Sequence, residues 1–503
     1  MSSVPTENAR CTDTDTRTAG HRYLPAPLTG RQPPVPEDSY RESLAHLYQL
    51  RRFGAELRLD VMQGLLEAMD HPELRFPTIH VAGSKGKGSV SALSAGILTS
   101  AGFRTGLFTS PHLQSYRERI QIDRRPIDPG AVVHGIDRIR ALSVSLAGTG
   151  RIPRPPTFFE VTTALAFEWF AHEHVDAAVI EVGLGGRLDA TNVLPARVGV
   201  ITTIELEHTE VLGPTLTHVA HEKAGIMHRG MHLVLGEGKE EPLREITRVA
   251  GAHGVPVWRL DKELKLSNRV LSAHGQKMDI ATPHRELTGV EIPLLGNFQA
   301  RNATLAVAAA DLFAQSLGRV LSEENIRQGL RSIEWRGRLE LAASRPPLFL
   351  DVAHTPESAR AVAQSLAELF PFAEPDACAL LFGCLQGKRF DQMFESLSLL
   401  ARTIVLAPIR SDRSADVEEI RRAARPLFPR VVVARSVAEG LPLARAATRA
   451  EGYTLALGSD YLVGELLNAL EGSPADEPDL SDPAMRGPGQ EVPLAAPRGH
   501  RPR

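Results

Sequence analysis

A glycine-rich segment, Gly83-Ser84-Lys85-Gly86-Lys87-Gly88-Ser89, stands between a short apolar run at 77–82 and a helical pattern at 89–101. This order predicts a strand, a tight loop and a helix in direct succession. There, the backbone N–H groups of the loop and of the first helical turn point at one anion. Lys87 adds a compact positive charge and Ser89 a hydroxyl for phosphate or metal. The segment therefore predicts a phosphate-binding loop.

The spacing of this loop is not that of the standard phosphate loop, G-x-x-x-x-G-K-[ST], because Gly88 separates Lys87 from Ser89. The alternative interpretation is a Gly/Ser turn whose lysines are simply solvated. The strand–loop–helix context favours phosphate binding, since that context is what the motif requires. We therefore expect an enzyme that uses ATP.

Short apolar strands alternate with helical stretches along most of the chain, which predicts a mostly parallel sheet covered by helices on both faces. The stretch 262–293 is more irregular and is expected to be β-rich. The alternation restarts after residue 338, which predicts a second, smaller α/β domain. The expected organisation is a disordered tail at 1–40, an ATP-binding domain at 41–335, a second domain at 336–471 and a disordered tail at 472–503.

Composition excludes several classes of protein. The 503 residues carry a formal net charge of −3, which argues against a general nucleic-acid binder. No apolar run approaches the roughly 20 residues that span a bilayer, so no membrane association is expected. The N-terminal segment lacks the residue order of a secretory signal. We expect a cytoplasmic protein whose partners are small molecules.

Polar side chains follow three further predicted strands. Ser110 comes after a strand at 104–109, Glu181 ends a strand at 176–182, and His208 follows a strand at 197–204. Each alone has a plain alternative: a turn cap, a strand-ending turn, or a histidine that is no ligand. Because the carboxyl ends of parallel strands meet at one edge, the three together suit Mg²⁺ held jointly with substrate phosphates.

Two charged residues lie at helix ends. Glu160 opens a helix after Thr157-Phe158-Phe159, and alone it reads as a first-turn helix acid. Lys223 ends a helix, where a lysine favours the helix dipole without any further role. Neither position indicates a site on its own.

Taken in order, the motifs resemble those of the folylpolyglutamate synthase/dihydrofolate synthase family of the Mur-ligase superfamily, over residues 45 to 470. In the first domain the motifs are His80-Val-Ala-Gly-Ser-Lys-Gly-Lys-Gly-Ser89, Ser110-Pro-His-Leu113, Glu118-Arg-Ile120, Thr157-Phe-Phe-Glu160, Glu181-Val-Gly-Leu-Gly-Gly-Arg-Leu-Asp-Ala-Thr-Asn192 and Glu222-Lys-Ala-Gly-Ile226. In the second they are Trp335-Arg-Gly-Arg-Leu-Glu340, Asp351-Val-Ala-His354 and Gly458-Ser-Asp-Tyr-Leu-Val-Gly464. The resemblance implies a Mur-ligase-like central ATPase domain followed by a smaller Rossmann-like α/β domain.

The resemblance also implies roles for single residues. ATP contacts are expected at Gly86, Lys87, Gly88, Ser89, Asn302, Arg338 and Asp351. Mg²⁺ ligands are expected at Ser110, Glu181, His208 and Lys223, the last as a carbamylated lysine. The pteroate-side site would comprise Thr157, Phe158, Phe159, Glu160, Leu188, Asp189 and Ala190. The incoming glutamate would meet His354, Ser459 and Tyr461, and the catalytic residues would be Lys87, Lys223 and His354.

The chain departs from the family pattern at several positions. Ser84-Lys85 replaces the common Thr-Asn, and Glu207 replaces the usual Asp before His208. Phe298 replaces a His, and Val352 and Thr355 replace Gly and Asn. The phosphate and metal residues are retained, so these departures bear mainly on the choice of pteridine substrate.

The implied reaction transfers the γ-phosphoryl group of ATP to a dihydropteroate or folate carboxylate, after which L-glutamate attacks the acyl phosphate. ATP and Mg²⁺ are the expected cofactors, together with a monovalent cation such as K⁺, and the protein is expected to be monomeric. One alternative is a Mur-type ligase acting on a UDP-sugar peptide. Another is a nucleotide-binding protein of this family without catalysis. The motifs leave open whether one or both folate reactions occur.

Overall fold

The computed structural model describes residues 35–50 and 58–472, and an eight-stranded sheet organises the first part. Six of its strands are parallel, and two antiparallel strands extend one edge. The strands are β1 (Thr78–Ala82), β2 (Thr105–Phe108), β3 (Ile120–Ile122), β4 (Arg125–Pro126), β5 (Ala177–Glu181), β6 (Val198–Ile201), β7 (His232–Leu235) and β8 (Val257–Arg259). Their order across the sheet is β4-β3-β2-β5-β1-β6-β7-β8, which puts β1 near the middle.

Helices cover both faces of this sheet. Their bounds are α1 (Glu37–Gln49), α2 (Asp60–Ala68), α3 (Lys87–Ser100), α4 (Pro129–Gly148), α5 (Phe158–His172), α6 (Thr209–Leu212), α7 (Leu216–Ala224), α8 (Glu240–His253), α9 (Asn297–Ser316) and α10 (Glu323–Arg331). Helices α3, α9 and α10 share one apolar core with the sheet, and α1, α2, α4 and α5 share another on the opposite face. Both β1 and β5 are buried along their whole length. Strand β5 is apolar up to Glu181, whereas β1 places Thr78 and His80 among apolar residues.

A three-stranded antiparallel sheet fills the stretch that the sequence marked only as β-rich. Its strands are β9 (Lys265–Ser272), β10 (Gly275–Thr282) and β11 (Arg285–Ile292), in the order β11-β10-β9. One face is apolar: Met278, Ile280 and Leu287 are buried in the core that α9 shares with the large sheet. The alternation of exposed and buried residues is typical of an antiparallel sheet with one wet face.

The second domain is built on a six-stranded sheet of order β12-β13-β17-β14-β15-β16. Only β12 is antiparallel to its neighbour. The strands are β12 (Glu340–Ser344), β13 (Pro347–Asp351), β14 (Ala379–Phe382), β15 (Thr403–Leu406), β16 (Arg430–Val433) and β17 (Thr454–Leu457). The helices are α11 (Pro356–Leu369), α12 (Phe390–Leu397), α13 (Val417–Ala424), α14 (Val437–Ala447) and α15 (Asp460–Glu471). Helices α11 to α13 pack on one face, and α14 and α15 on the other.

The expected fold class is confirmed: a mostly parallel α/β domain is followed by a smaller α/β domain. The segment 332–339 joins α10 to β12, and the boundary expected at 335/336 falls within it. The disordered tail expected at 1–40 extends too far, because α1 begins at Glu37 and Tyr40 is buried. The rest of that tail, and the tail expected after 472, lie outside the described residues. Within 35–50 and 58–472, no helix is both long and apolar enough to cross a bilayer.

Candidate functional site

The carboxyl ends of parallel strands lie side by side at one edge of the first sheet. In the register of the sheet, Val81 of β1 pairs with Glu181 of β5, and Ala82 pairs with Ile201 of β6. Strand β2 runs parallel to β5 on its other side. Ligands of open α/β sheets bind outside such an edge. The segments that follow these strands, at 83–89, 109–113, 181–192 and 202–208, form the candidate site.

The phosphate loop is fastened to the segment that follows β6. The backbone N–H of Ser84 donates to the carbonyl oxygen of Thr203 at 2.7 Å, and that of Glu205 donates to the Ser84 hydroxyl at 2.9 Å. Gly83 has φ +142°, and a Cβ there would lie 1.8 Å from Oγ1 of Thr202. Glycine is therefore required at the point where the loop crosses its neighbour.

Three lysines meet around one carbonyl and one carboxylate. Nζ of Lys87 and Nζ of Lys223 donate to the carbonyl oxygen of Gly83, at 3.0 and 2.9 Å. Lys223 also donates to Oε1 of Glu207 at 3.0 Å, and Nζ of Lys85 lies 3.4 Å from Oε2 of the same carboxylate. Lys85 and Glu207 are both departures from the family pattern, and the structure shows that they contact each other.

Burial sets the protonation of this cluster. Burial lowers the pKa of Lys223 to about 8, although the charge of Glu207 opposes the shift. Burial alone would raise the pKa of Glu207, but Lys223, Lys85 and Lys87 hold it well below its usual range. Glu207 is therefore ionised at neutral pH, and a fraction of Lys223 is a neutral amine at mildly alkaline pH.

Glu181 and Ser110 also come together as the sequence predicted. The backbone N–H of Ser110 donates to Oε2 of Glu181 at 3.0 Å, and this oxygen would lie 3.5 Å from a Cβ on Gly88. Burial raises the pKa of Glu181, while the charges of Lys87 and Arg338 oppose the shift. A buried carboxylate facing the phosphate loop is suited to meet a cation.

His208 occupies a more open position. It precedes the short helix α6 with φ +49°, its side chain is 43% exposed, and its Nδ1 lies 3.8 Å from Oε1 of Glu210. Within 35–50 and 58–472, no three His, Cys, Asp or Glu side chains are grouped so as to hold a metal ion. Any cation at Glu181 would therefore take much of its coordination from substrate oxygens and water, as Mg²⁺ commonly does.

Asn302 of α9 lies against the other end of the phosphate loop. Its Oδ1 would be 2.6 Å from a Cβ on Gly86, a residue with φ +87°. Its Nδ2 donates to Oε1 of Gln299 at 3.0 Å, which fixes the orientation of the amide. The loop residues Gly86 to Ser89 and Asn302, all expected to contact ATP, are thus adjacent.

The second domain contributes Arg338 and Asp351 to the same region. Backbone N–H groups of Leu339 and Ala353 donate to the two oxygens of Asp351, each at 2.7 Å. Burial raises the pKa of Asp351 to about 6, and the charge of Arg338 opposes this. The charge of Arg338 also opposes the rise in the pKa of Glu181, a residue of the first domain.

His354 follows β13 at the edge that faces the first domain. Burial lowers the pKa of His354 well below its ordinary value, and the charges of Lys388 and Lys85 add to that effect. Its Nδ1 lies 2.9 Å from the carbonyl oxygen of Val352, which assigns the ring proton to Nδ1. His354 is therefore neutral, with Nε2 left as an acceptor.

Ser459 and Tyr461, expected to meet glutamate, lie at the start of α15. The Ser459 hydroxyl is buried, accepts from the backbone N–H of Leu462 and donates to the carbonyl oxygen of Gly383, both at 3.1 Å. The contact with Leu462 is that of a helix cap, and the contact with Gly383 ties the start of α15 to the segment that follows β14. Tyr461 packs against the apolar cluster beneath α15.

The residues expected on the pteroate side are mostly enclosed. Phe158 stacks on Tyr48 with ring centroids 5.5 Å apart, and the guanidinium of Arg119 lies 5.2 Å above the Phe158 ring. The Phe159 ring lies under Gly183, where a Cβ would come within 2.4 Å of it. These contacts join α5 to the glycine-rich segment after β5.

Glu160 has two partners that the motif did not reveal. It forms a capping box with Thr157, whose backbone N–H donates to Oε2 of Glu160 at 2.7 Å. Arg154 binds the same carboxylate with two hydrogen bonds, at 2.8 and 2.9 Å. The interpretation of Glu160 as a first-turn helix acid thus describes its contacts here.

Asp189 anchors the glycine-rich segment from within. Its oxygens accept from the backbone N–H groups of Leu184 and Thr191, at 2.9 and 3.0 Å, and from the Thr191 hydroxyl. The same hydroxyl lies 2.8 Å from Nε2 of His80 in β1. Burial raises the pKa of Asp189 and lowers that of His80 to about 3, so the imidazole is neutral. Ala190 is buried beside them, and Leu188 is partly exposed.

Sequence reasoning did not assign a role to Arg154, Lys388 or Trp335. Arg154 lies outside every motif, and only its spacing of six residues before Glu160 could have indicated the pair. Lys388 stands in a loop after β14 with no local signal. Trp335 opens the Trp-Arg-Gly-Arg motif, but the motif alone indicates no role for the indole ring.

Two family models match the chain: the Mur ligase middle domain over residues 133–310 and the Mur ligase glutamate ligase domain over 337–459. The folylpolyglutamate synthase of Lacticaseibacillus casei is 32% identical, over 74% of this chain and 86% of that protein. The dihydrofolate synthase/folylpolyglutamate synthase of Mycobacterium tuberculosis is 34% identical, over 83% of this chain and 88% of that protein. The chain belongs to the folylpolyglutamate synthase/dihydrofolate synthase family.

The solved structures agree with the family assignment. The Mycobacterium tuberculosis folylpolyglutamate synthase complexed with ADP superimposes with a TM-score of 0.80 at 32% identity, covering 86% of this chain and 98% of that one. The fold and the family expected from the motifs are therefore confirmed. Members of the folylpolyglutamate synthase/dihydrofolate synthase family are ATP-dependent ligases, so the expectation of a ligase is confirmed with them.

The Thr191 hydroxyl contacts both His80 and Asp189, so replacing it tests whether these contacts hold the glycine-rich segment in place. Thr191→Val keeps the side-chain shape, leaves Nε2 of buried His80 without its partner and removes one of the hydrogen bonds to Asp189, so the free energy of unfolding should fall by about 1–3 kcal/mol. The glycine-rich segment should also shift, which raises KM for the folate acceptor. Urea unfolding and steady-state kinetics measure the two effects.

Thr149→Val is the matched control, because that threonine is exposed and bonds only backbone carbonyls. Its effect should stay within about 0.5 kcal/mol. Equal stability losses in the two variants would contradict the anchoring role of Thr191.

Proposed function

We propose that this ligase phosphorylates the carboxylate of a folate or dihydropteroate with ATP and then joins L-glutamate to it. The observation that carries the proposal is the buried carboxylate of Glu181 beside Gly88 of the phosphate loop, whose raised pKa is opposed by the charges of Lys87 and Arg338. Two of these groups are cationic and come from different domains. Phosphoryl transfer depends mainly on such positioning and charge neutralisation, with little covalent help from the protein.

The nucleotide would lie along Gly86 to Ser89, with its phosphates on the N–H groups of the first turn of α3. Lys87 and Arg338 would neutralise charge on the phosphates. Asn302 and Asp351 would contact the rest of the nucleotide from opposite sides, since one belongs to α9 and the other to β13. Support comes from the closeness of Asn302 to Gly86 and of Arg338 to Asp351.

Glu181 and Ser110 fit the requirements of a Mg²⁺ site. The fit rests on a buried carboxylate with a raised pKa that faces the loop, and on the Ser110 N–H that holds it in place. Mg²⁺ held by these residues would neutralise negative charge on the nucleotide phosphates. His208 would join this set as a third ligand, and a K⁺ ion would be a further cofactor.

In the first step, an acceptor carboxylate oxygen attacks the γ-phosphorus and the bond to ADP breaks. The glutamate amine then attacks the carbonyl carbon of the acyl phosphate, and phosphate leaves. Neutral His354 would take a proton from the attacking amine through Nε2, since Nδ1 is already engaged with Val352. Closure of the two domains would exclude the water that otherwise hydrolyses the acyl phosphate.

Several finer assignments stay predictions. These are the contacts of substrate with the segments 157–160 and 188–190, the contacts of glutamate with Ser459 and Tyr461, a monomeric state and a cytoplasmic location. Whether both folate reactions occur is decided by assaying dihydropteroate and tetrahydrofolate separately, each with ATP and glutamate.

The phosphate-loop assignment predicts a specific loss. Lys87→Ala should lower glutamate-dependent ADP release by about a hundredfold or more, because it removes a cation aimed at charge in the transition state. The measurement is ADP formation with a folate acceptor, with and without glutamate. Lys262→Ala is the control, since Lys262 is exposed and pairs only with its neighbour Glu263. Near-normal turnover in Lys87→Ala would refute the assignment.

Lys223 is proposed to act as a carbamate that joins the metal site. Its lowered pKa supports this, because only the neutral amine adds carbon dioxide. In 13C-labelled bicarbonate, the active enzyme should show a carbamate resonance in its NMR spectrum, and Lys223→Ala should lose both the resonance and activity. Full activity without the resonance would show that Lys223 works as the ammonium that pairs with Glu207.

A further inference from the structure

Trp335 lies on the phosphate loop. A Cβ built on Gly88 would come within 3.0 Å of Cζ2 and 3.6 Å of Cε2 of the indole, and 3.5 Å of Oε2 of Glu181. Cε2 is bonded to the indole nitrogen, so the N–H side of the ring is the side near the loop. The indole also packs against the core that α3 shares with the first sheet. Gly88 is thus the residue over which the ring sits.

This contact explains the unusual spacing of the loop. The residue between Lys87 and Ser89 must leave room for the indole, because a Cβ there would lie 3.0 Å from Cζ2, closer than ordinary van der Waals contact, and the ring would have to shift. Glycine is the residue that meets this requirement. Gly88, the extra glycine of the loop, and Trp335 of the segment 332–339 therefore pack directly against each other.

The indole nitrogen has no acceptor in the protein. Nε1 of Trp335 is buried and makes no hydrogen bond among the described residues. A buried donor without a partner is costly and is rare in native proteins. Beside it stands the first turn of α3, whose backbone N–H groups also lack intrahelical acceptors. The indole N–H and these backbone N–H groups both lie near Gly88, and both kinds of donor suit an anion.

The chain that follows Trp335 is fixed to the second domain. The backbone N–H of Gly337 donates to Oε2 of Glu340 at 2.8 Å, and the carbonyl oxygen of Gly337 accepts from Val352 at 3.0 Å. Arg336 binds Glu340 and Glu471, at 2.7 and 2.6 Å. The ring therefore rests on the first domain while its backbone continues rigidly into the second.

We infer that Trp335 is a further nucleotide-binding residue: its indole N–H donates to a phosphate oxygen of the nucleotide held at Gly86 to Ser89. This inference rests on the proposed function, because it places ATP on that loop. Through the segment 336–340, the same contact ties the nucleotide to the second domain.

Trp335→Phe tests the inference, because phenylalanine keeps a ring over Gly88 and removes the donor. Calorimetric titration with ADP and Mg²⁺ should give a Kd raised about tenfold, the size expected for one hydrogen bond to a charged group. Trp258→Phe is the matched control, since Trp258 packs against the same core but lies edge-on to His284, with ring centroids 4.7 Å apart. Its Kd should equal that of the parent.

A spectroscopic measurement covers the case in which Trp335→Phe folds poorly. In the Trp169→Phe/Trp258→Phe background Trp335 is the remaining tryptophan, and its emission should change on ADP binding. Gly88→Ala should also weaken ADP binding, because the added methyl displaces the ring. Gly251→Ala, at an open helical position, should leave binding unchanged.

The outcomes separate the two claims. An unchanged Kd in Trp335→Phe, or an emission that ADP does not alter, would overturn the role of Trp335 while leaving ATP on the loop. Failure of the parent protein itself to bind ADP would refute the proposed function.

Discussion

Positive charge gathers around the carbonyl oxygen of Gly83, and the site depends on how that charge is balanced. Lys87 and Lys223 both donate to this oxygen, and Nζ of Lys85 lies 3.4 Å from Oε2 of Glu207. Glu207 is the carboxylate in direct contact with two of these lysines. The charges of Lys85 and Lys87 also act on the pKa values of Glu205 and Glu181, so several carboxylates balance these lysines. Beside Lys87, the backbone N–H groups of the loop give an anion a fixed place. Lys223 lies in α7 and holds the loop to that helix through the Gly83 carbonyl oxygen. The loop is thereby fixed in a position where it can bind phosphate.

The second domain completes the site by bringing charge and a donor to the same loop. The charge of Arg338 lowers the pKa of both Glu181 and Asp351, and the charge of Lys85 lowers that of His354. Trp335 begins the segment that carries Arg338, so one short stretch of chain reaches the loop with a ring and a guanidinium. A ligase of this kind must keep its acyl phosphate from water, and a nucleotide that touches both domains is a physical means of closing them together.

The parts of the site that follow from local backbone chemistry could be read from the sequence. The phosphate loop, the strand ends at Glu181 and Ser110 and the α/β alternation all follow from short patterns, and the structure has them where they were expected. Contacts between residues that are far apart in the sequence could not be predicted. Thr191 meets His80 across 111 residues, and Arg154 takes up the carboxylate of Glu160 from outside its motif. For Asp189, Glu160 and Ser459, the motif gave the position, and only packing revealed partners inside the protein.

The central claim is that the acceptor carboxylate becomes an acyl phosphate on this loop, and oxygen transfer tests it most directly. The acceptor, labelled with 18O in its reacting carboxylate, would be incubated with ATP, Mg²⁺, L-glutamate and the enzyme, and the inorganic phosphate analysed by mass spectrometry. Because the carboxylate oxygen attacks the γ-phosphorus and later leaves with it, the phosphate released with the amide product should carry the label. Amide formation with unlabelled phosphate would contradict the account.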